Sequence, residues 1–345
     1  MRLGIDLTWM GEKPAGVGTM AGEVIDELKR RGDVKVVLFR SEAIGRGPLK
    51  HVRLARAIKT AKLDAFWQPG GWLPFFLPHE LVTVQTVHDL LSFDHPEWFP
   101  QRGLSRWWSH HVRVARAIRG ADVVHAVSAW TGEAVSRWFP ETSSRVVIAH
   151  QGVTMPTMES IAPSRFRQPF VLMLGTVEPR KNIALACRAF GRFAAEYPKS
   201  HLVIAGKTGW KARASLAAIE TLSTQFPGRV HRLEYVDEST KWALLKDASV
   251  LLMTSHAEGF GRPVIEAMSM GTPVIATATS AMNEIASDAA ILVPEGDEQK
   301  ITHALWRAIY HPTLPSKLVE LGRQRAASFS IATMVDTILK TIERR

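Results

Sequence analysis

Short apolar runs, each followed by a loop and then a helical pattern, recur along the whole chain of 345 residues. In the amino-terminal half the runs are Leu3 to Leu7, Val34 to Phe39, Ala65 to Gln68, Val82 to Val87, Val123 to Ala126 and Arg145 to Ile148. β-Branched and large apolar residues stand side by side in them, as in strands covered on both faces. Alternation with helical segments such as Val17 to Arg31 predicts an α/β fold with a doubly wound parallel sheet. Gln151 to Gln168 carries prolines and little periodicity, which marks a domain boundary. A second series then begins, with runs at Phe170 to Leu174, His201 to Ala205, Val230 to Tyr235, Ser249 to Met253 and Pro273 to Ala276. Glu238 to Lys246 reads as a helix, and Lys317 to Arg345 continues a helical pattern through Leu318, Leu321, Ala326, Met334, Ile338 and Ile342.

Composition narrows the class without naming it. Apolar residues make up 46% and charged residues 22%, the balance of a globular protein. No apolar run approaches the ~20 residues that cross a bilayer. The start, MRLGIDLTW, enters a strand pattern without a cleavable signal, which predicts a cytoplasmic protein. The single cysteine, Cys187, fits a reducing compartment and falls on a helical pattern as a small core residue. A formal charge of +10 asks for an anionic partner. Helix-turn-helix, zinc-knuckle and RNA-binding signatures are missing, so nucleic acid is not expected.

The chemistry concentrates in residues 248–279. The strand ending at Met253 leads into a loop with Glu258, Gly259, Phe260 and Gly261, and then into a helix that opens at Pro263. The spacing predicts one βαβ unit of a parallel sheet. Main-chain N–H groups of Phe260 to Arg262 at the helix start offer a seat for an anion. Glu258 and Glu266 flank that seat and are unsuited to phosphate; they suit the hydroxyls of sugars attached to it.

EGFGRPVIEAMSMGTPVIA resembles the Glu-x7-Glu signature of retaining, nucleotide-sugar-dependent glycosyltransferases of the GT-B fold. These form glycosyltransferase group 1, or family 4, which includes many bacterial mannosyltransferases. The resemblance implies that Glu258 contacts the transferred sugar and Glu266 holds the nucleotide's ribose. Gly259, Phe260 and Gly261 would bind the donor between them. Arg262 departs from the pattern, since many relatives have Leu there; it would add charge near the diphosphate or point to solvent.

Further segments carry the same resemblance. Gly175-Thr-Val-Glu-Pro-Arg180-Lys181-Asn182 resembles the family's EPRKN segment, which implies that Arg180 and Lys181 grip the donor's phosphates. Val87-His88-Asp89-Leu90 resembles its VHDL segment, where the histidine, here His88, nears the transferred sugar. Asp89 is expected to orient the loop or cap the next element. Ala15-Gly16-Val17-Gly18 resembles the first glycine loop, with Gly16 and Gly18 near the ligand; a plain turn is the alternative. Lys207, in GKTGW, stands near the diphosphate or base. Val236 and Asp237 are candidates for the base pocket, and Thr279 and Ser280 for the diphosphate. Ser128-Ala-Trp-Thr131 is expected to cap a helix.

The resemblance implies two Rossmann-like doubly wound domains facing across a cleft. Residues 1–160 would face the acceptor, 161–325 would bind the nucleotide sugar, and 326–345 would form a helix packing back on the first domain. It implies a metal-independent hexosyltransferase without a cofactor, since no Asp-x-Asp occurs and activity should survive chelation. The donor would be a nucleotide sugar, with GDP-mannose first and UDP-glucose or a deoxysugar donor as the alternative. An inactive sugar-nucleotide-binding scaffold ranks below both. The acceptor would be a saccharide or lipid-linked saccharide of surface-polysaccharide (O-antigen) synthesis.

Two basic stretches bear on location. Residues 102–119 hold five arginines, two tryptophans and no acid. Residues 46–62 add Arg46, Lys50, Arg53, Arg56, Lys59 and Lys62 without a carboxylate. They suit an anionic membrane surface, making the protein peripheral on the inner face of the plasma membrane. Solvated helices with Trp107 or Trp108 in the core are the other reading.

Overall fold

The computed structural model describes residues 1–11, 16–45, 47, 49–100, 104–166 and 169–345, with residues 104–109 and 158 described by backbone alone. Ala15, Arg46 and Arg102 therefore lie outside the described residues, as do the side chains of Trp107 and Trp108.

Two compact units emerge. Unit 1 comprises Met1–Phe93, Gln101–Thr154 and Phe329–Arg345; unit 2 comprises Asp94–Pro100 and Met155–Ser328.

Unit 1 is built on a six-stranded parallel sheet. Its strands are β1 (Arg2–Asp6), β2 (Lys35–Phe39), β3 (Ala65–Gln68), β4 (Val82–Val87), β5 (Val123–Ala126) and β6 (Val146–Ile148), in the order β2-β1-β3-β4-β5-β6. Strand β1 pairs with β2 on one side and β3 on the other, so the order reverses between β1 and β3. Ser128 caps the helix Ala129–Trp138, its side chain accepting from the Thr131 N–H at 3.1 Å. Asp89 accepts from the Leu91 N–H at 3.1 Å.

The carboxy-terminal helical pattern is carried by two helices, Leu314–Ala327 and Ile331–Ile342. Phe329 keeps the sequence apolar across the break, but Ser330 takes extended geometry and caps the next helix by accepting from the Thr333 N–H. That helix buries Ile331, Met334, Val335, Ile338, Leu339 and Ile342 against the core of unit 1. Burial of such side chains contributes about 1.5–3 kcal/mol each.

Unit 2 holds a second six-stranded parallel sheet. Its strands are β7 (Phe170–Leu174), β8 (His201–Ala205), β9 (Val230–Leu233), β10 (Val250–Met253), β11 (Val274–Thr277) and β12 (Ile291–Val293), in the order β12-β11-β10-β7-β8-β9. Read from the other edge this is the dinucleotide-fold order, with the reversal between β7 and β10. Ligands of open α/β sheets sit past the carboxyl ends of the strands at that point. Strand β10 is buried throughout, as its unbroken apolar run requires. Cys187 is buried in the core of unit 2, and burial pushes its thiol up to about 12.

Candidate active site

In unit 2 the loops after β7 and β10 meet at the reversal. The His256 N–H donates to the Arg180 carbonyl at 2.8 Å, and the Thr254 hydroxyl donates to the Lys181 carbonyl at 3.0 Å. These ties place the two cations against Glu258. Arg180 donates from Nη1 to Oε2 of Glu258 at 2.6 Å, and Lys181 from Nζ to Oε1 at 2.5 Å. The Ser255 hydroxyl adds a bond to Oε1 at 2.6 Å. Arg180 also reaches Glu178 through Nε at 2.5 Å.

Both carboxylates are almost wholly buried, yet their titrations part. Burial pushes the Glu178 carboxyl up despite Arg180 and Lys181. At Glu258 burial acts the same way, but Arg180, Lys181 and the bonds from Lys181 and Ser255 outweigh it and hold the group at about 2. Burial draws the Lys181 ammonium down. Glu258 is thus a fixed anion. Three donors occupy its oxygens, and a carboxylate has about four acceptor directions, so one sugar hydroxyl can still be received.

The helix Arg262–Met270 starts immediately after this cluster. Its cap, Gly261, has φ +93°, a conformation open to glycine and strained for a side chain. Pro263 is its second residue rather than the first. Glu266, one turn in, is buried and accepts from Lys241 Nζ at 3.1 Å and Arg262 Nη2 at 3.4 Å. Arg262 therefore does not point to solvent: it is buried beside Glu266.

Lys207 is exposed, but its loop is bound to the cation loop: the Val177 N–H donates to the Lys207 carbonyl at 3.0 Å, and Gly209 N–H to the Val177 carbonyl at 2.9 Å. Ser280 accepts the Glu258 N–H at 2.8 Å through its hydroxyl. Val236 and Asp237 line a separate cavity of unit 2 with Arg232 and Tyr235, and Asp237 caps the next helix.

An aromatic arm joins the cluster. Trp98 stacks on His95 with ring centroids 3.9 Å apart and on His256 at 5.5 Å. Its carbonyl accepts from Trp210 Nε1 at 2.8 Å, and the Glu97 carbonyl accepts from Lys211 at 2.6 Å. His256 is two residues from Glu258 and pairs with Glu295. Sequence reasoning missed this contact, as it missed Glu178, Ser255 and Lys241; the acidic and hydroxyl residues beside the motifs were the only signal.

The remaining candidates, Gly16, Gly18 and His88, lie in unit 1. Gly16 caps the helix Val17–Arg31, where Gly18 is buried. His88 follows β4 and lines a cavity with Gly70, Gly71, Trp72 and Gln85. Its Nε2 lies 2.7 Å from the Pro69 carbonyl, which can only accept, so that nitrogen carries the proton. Nδ1 then accepts from Gln151 Nε2 at 2.9 Å. Both nitrogens are engaged, which suits positioning and not proton abstraction. Buried Gln68 and Gln85 hold the adjoining loop by bonds to Gly71 and to the Trp72 and Gly71 carbonyls. Beneath it, Trp67 donates to Thr86, Thr86 bonds His125 Nδ1, and His125 Nε2 reaches the Ala149 carbonyl. Burial lowers His125 to about 4, so it is neutral.

Residues 157–325, which fall within unit 2, match the family model described as Glycosyl transferases group 1. O-antigen chain mannosyltransferase B of Escherichia coli is 25% identical over 272 residues, 74% of this chain and 69% of that protein. The serotype-specific mannosyltransferase WbdA of Escherichia coli is 28% identical over 244 residues, 65% of this chain but only 29% of WbdA's length. Among solved structures, Anabaena HepE in complex with UDP and glucose has a TM-score of 0.75 at 17% identity, with 100% of both chains covered. The fold is GT-B, two parallel sheets with helices.

Proposed function

We propose that the protein is a retaining glycosyltransferase that moves mannose from GDP-mannose to a saccharide or lipid-linked saccharide of surface-polysaccharide synthesis. The observation that carries the reading is the grip of Arg180 and Lys181 on Glu258 at the strand reversal, beside the start of the helix Arg262–Met270. The mannosyltransferase relatives support the choice of sugar. A UDP-glucose or deoxysugar donor is the second reading, its UDP-glucose form favoured by the ligands of the HepE neighbour.

In this mechanism the bond from the anomeric carbon to the β-phosphate oxygen breaks, and the acceptor oxygen bonds that carbon from the same face. The acceptor's proton passes to the departing phosphate. Arg180, Lys181 and the helix start offset the charge that develops there, each contact contributing on the order of 3 kcal/mol. No side chain has to act as a strong base, in keeping with the engaged nitrogens of His88. Glu258 and His88 orient the sugar, Glu266 holds the ribose, and no metal ion is required. The reaction would take place at the inner face of the plasma membrane.

The test is a panel of sugar nucleotides screened by thermal shift, followed by NMR of the product's one-bond C1–H1 coupling, which separates α- from β-mannosides. Stabilisation by GDP-mannose above the others, with an α-linked product, is the expected result. Stabilisation by none, or an inverted product, refutes the reading.

A further inference from the structure

The loop after β1 and the helices Lys50–Ala61 and Leu104–Gly120 of unit 1 bring together a second group of side chains that this mechanism does not use. Thr8 lies just past β1, and Lys50 donates from Nζ to its carbonyl at 3.3 Å. His51 stands edge-on to Phe75, ring centroids 6.3 Å apart, and the Arg116 guanidinium lies 3.5 Å from the centre of the same ring. Arg113, one turn earlier on the helix Leu104–Gly120, is 5.4 Å from the ring of Trp72. Asp6, the carboxylate near this corner, is already bound by the Thr8 N–H and the Gln68 amide.

Hydrogen bonding here is incomplete. Thr8 Oγ1, His51 Nδ1 and Arg116 Nε are buried without a hydrogen-bond partner, three of the five such side-chain atoms among the described residues. Thr8 itself is 8% exposed. Buried polar atoms are paired in the great majority of cases. A guanidinium N–H can only donate, and a hydroxyl and a neutral imidazole can each donate too. Burial, then Lys50 and Arg113, draw the His51 imidazole down, which keeps it neutral. The group that completes this set must accept hydrogen bonds and welcome Lys50, Arg113 and Arg116. Those demands describe an oxyanion.

We propose that Thr8, Lys50, His51, Arg113 and Arg116 form a second phosphate site, which holds a phosphate or diphosphate ester of the acceptor. The inference rests on the glycosyltransferase reading and deepens it: Trp72 both receives Arg113 and lines the His88 cavity, so the ester is held beside that cavity. A lipid-borne ester fits the surroundings. Leu49, Val52 and Val112, each next in sequence to a residue of this group, are exposed, as is Phe76, which follows Phe75 and holds φ +61° at 89% exposure. An aromatic residue kept in that region marks a conformation retained for use.

The experiment follows the His51 ring by NMR in the whole protein labelled with ¹⁵N-histidine, its signal identified by its loss in His51→Gln. Inorganic pyrophosphate is expected to shift it saturably, with the midpoint raised at least about tenfold in Lys50→Gln/Arg113→Gln. Arg113 is exposed, so that variant is expected to fold. Displacement of pyrophosphate by a prenyl diphosphate ahead of mannose 1-phosphate assigns a lipid-borne ester; the reverse order assigns a soluble sugar phosphate. An unmoved His51 signal, an unchanged midpoint in the double variant, or displacement by neither compound overturns the proposal. Because His51 reports directly, failure of nucleotide binding elsewhere would count against the glycosyltransferase reading and leave this result interpretable.

Discussion

Lys181 sets its ammonium 2.5 Å from Oε1 of Glu258, across 77 residues of chain. Arg180 takes the other oxygen, so two residues adjacent in sequence clamp one carboxylate. The clamp fixes both cations before any donor arrives. Electrostatic stabilisation of a leaving group is most effective when its donors need no reorganisation.

Removing the anion should undo both fold and function. Glu258→Ala leaves the buried Lys181 ammonium without its ion-pair partner while Arg180 keeps Glu178, and breaking a buried pair this way costs about 3–5 kcal/mol. Urea unfolding is expected to read that loss. Glu258→Gln keeps the shape and loses the charge, and turnover is expected to fall by about 100-fold or more through misplaced cations. Wild-type stability and turnover in both variants would remove Glu258 from the mechanism.

Acid sensitivity follows from the same group. The folded value of Glu258 is about 2 against an ordinary 4.5, so the folded state binds its proton less readily than the unfolded chain. Its contribution to stability is therefore complete above pH 4.5 and is lost as pH falls toward 2. Unfolding free energies measured across that window should decline less steeply in Glu258→Gln than in the wild type. Parallel curves would show that the carboxylate is not held ionised.

Gly206 ends β8 with φ +151°, and a Cβ there would stand 2.0 Å from the Gly175 carbonyl oxygen. Main chain cannot yield as a flexible side chain does, and the φ is strained for any other residue. Gly206→Ala is expected to lower stability by roughly 3 kcal/mol or more and to weaken nucleotide binding, since Gly175 opens the cation loop. Unfolding and binding measured together check both effects; an unperturbed variant would contradict the close approach.

Much of this was legible in the chain. The run Ser249 to Met253, the glycine loop ahead of Pro263 and the spacing of Glu258 and Glu266 are local signals, and the strand–loop–helix follows from them. Arg262 beside Glu266 was not legible, because an arginine four residues before a glutamate on a helix reads equally well as a solvated pair. The Glu258 clamp joins loops that are distant in sequence, and no periodicity records which distant charges meet. His88 was singled out by the VHDL resemblance, but the partners that fix its tautomer, Pro69 and Gln151, carry no sequence mark.

Trp98 offers a test away from the phosphates. It stacks on His256, whose N–H donates to the Arg180 carbonyl, and its own carbonyl holds Trp210. Trp98→Ala is expected to weaken nucleotide binding roughly three- to tenfold, the worth of one aromatic pair, with little change in unfolding midpoint. Calorimetric titration checks the first and thermal melting the second. Unaltered affinity would make the arm a packing element only.

The most direct measurement is calorimetric titration of GDP, UDP and their nucleosides into the wild type, Lys181→Ala and Arg180→Gln. Binding of a nucleoside diphosphate, weakened at least about tenfold in each variant while the weak binding of the nucleoside is unchanged, is the predicted result. Equal diphosphate affinity in all three proteins, or no diphosphate binding by the wild type, would contradict the account.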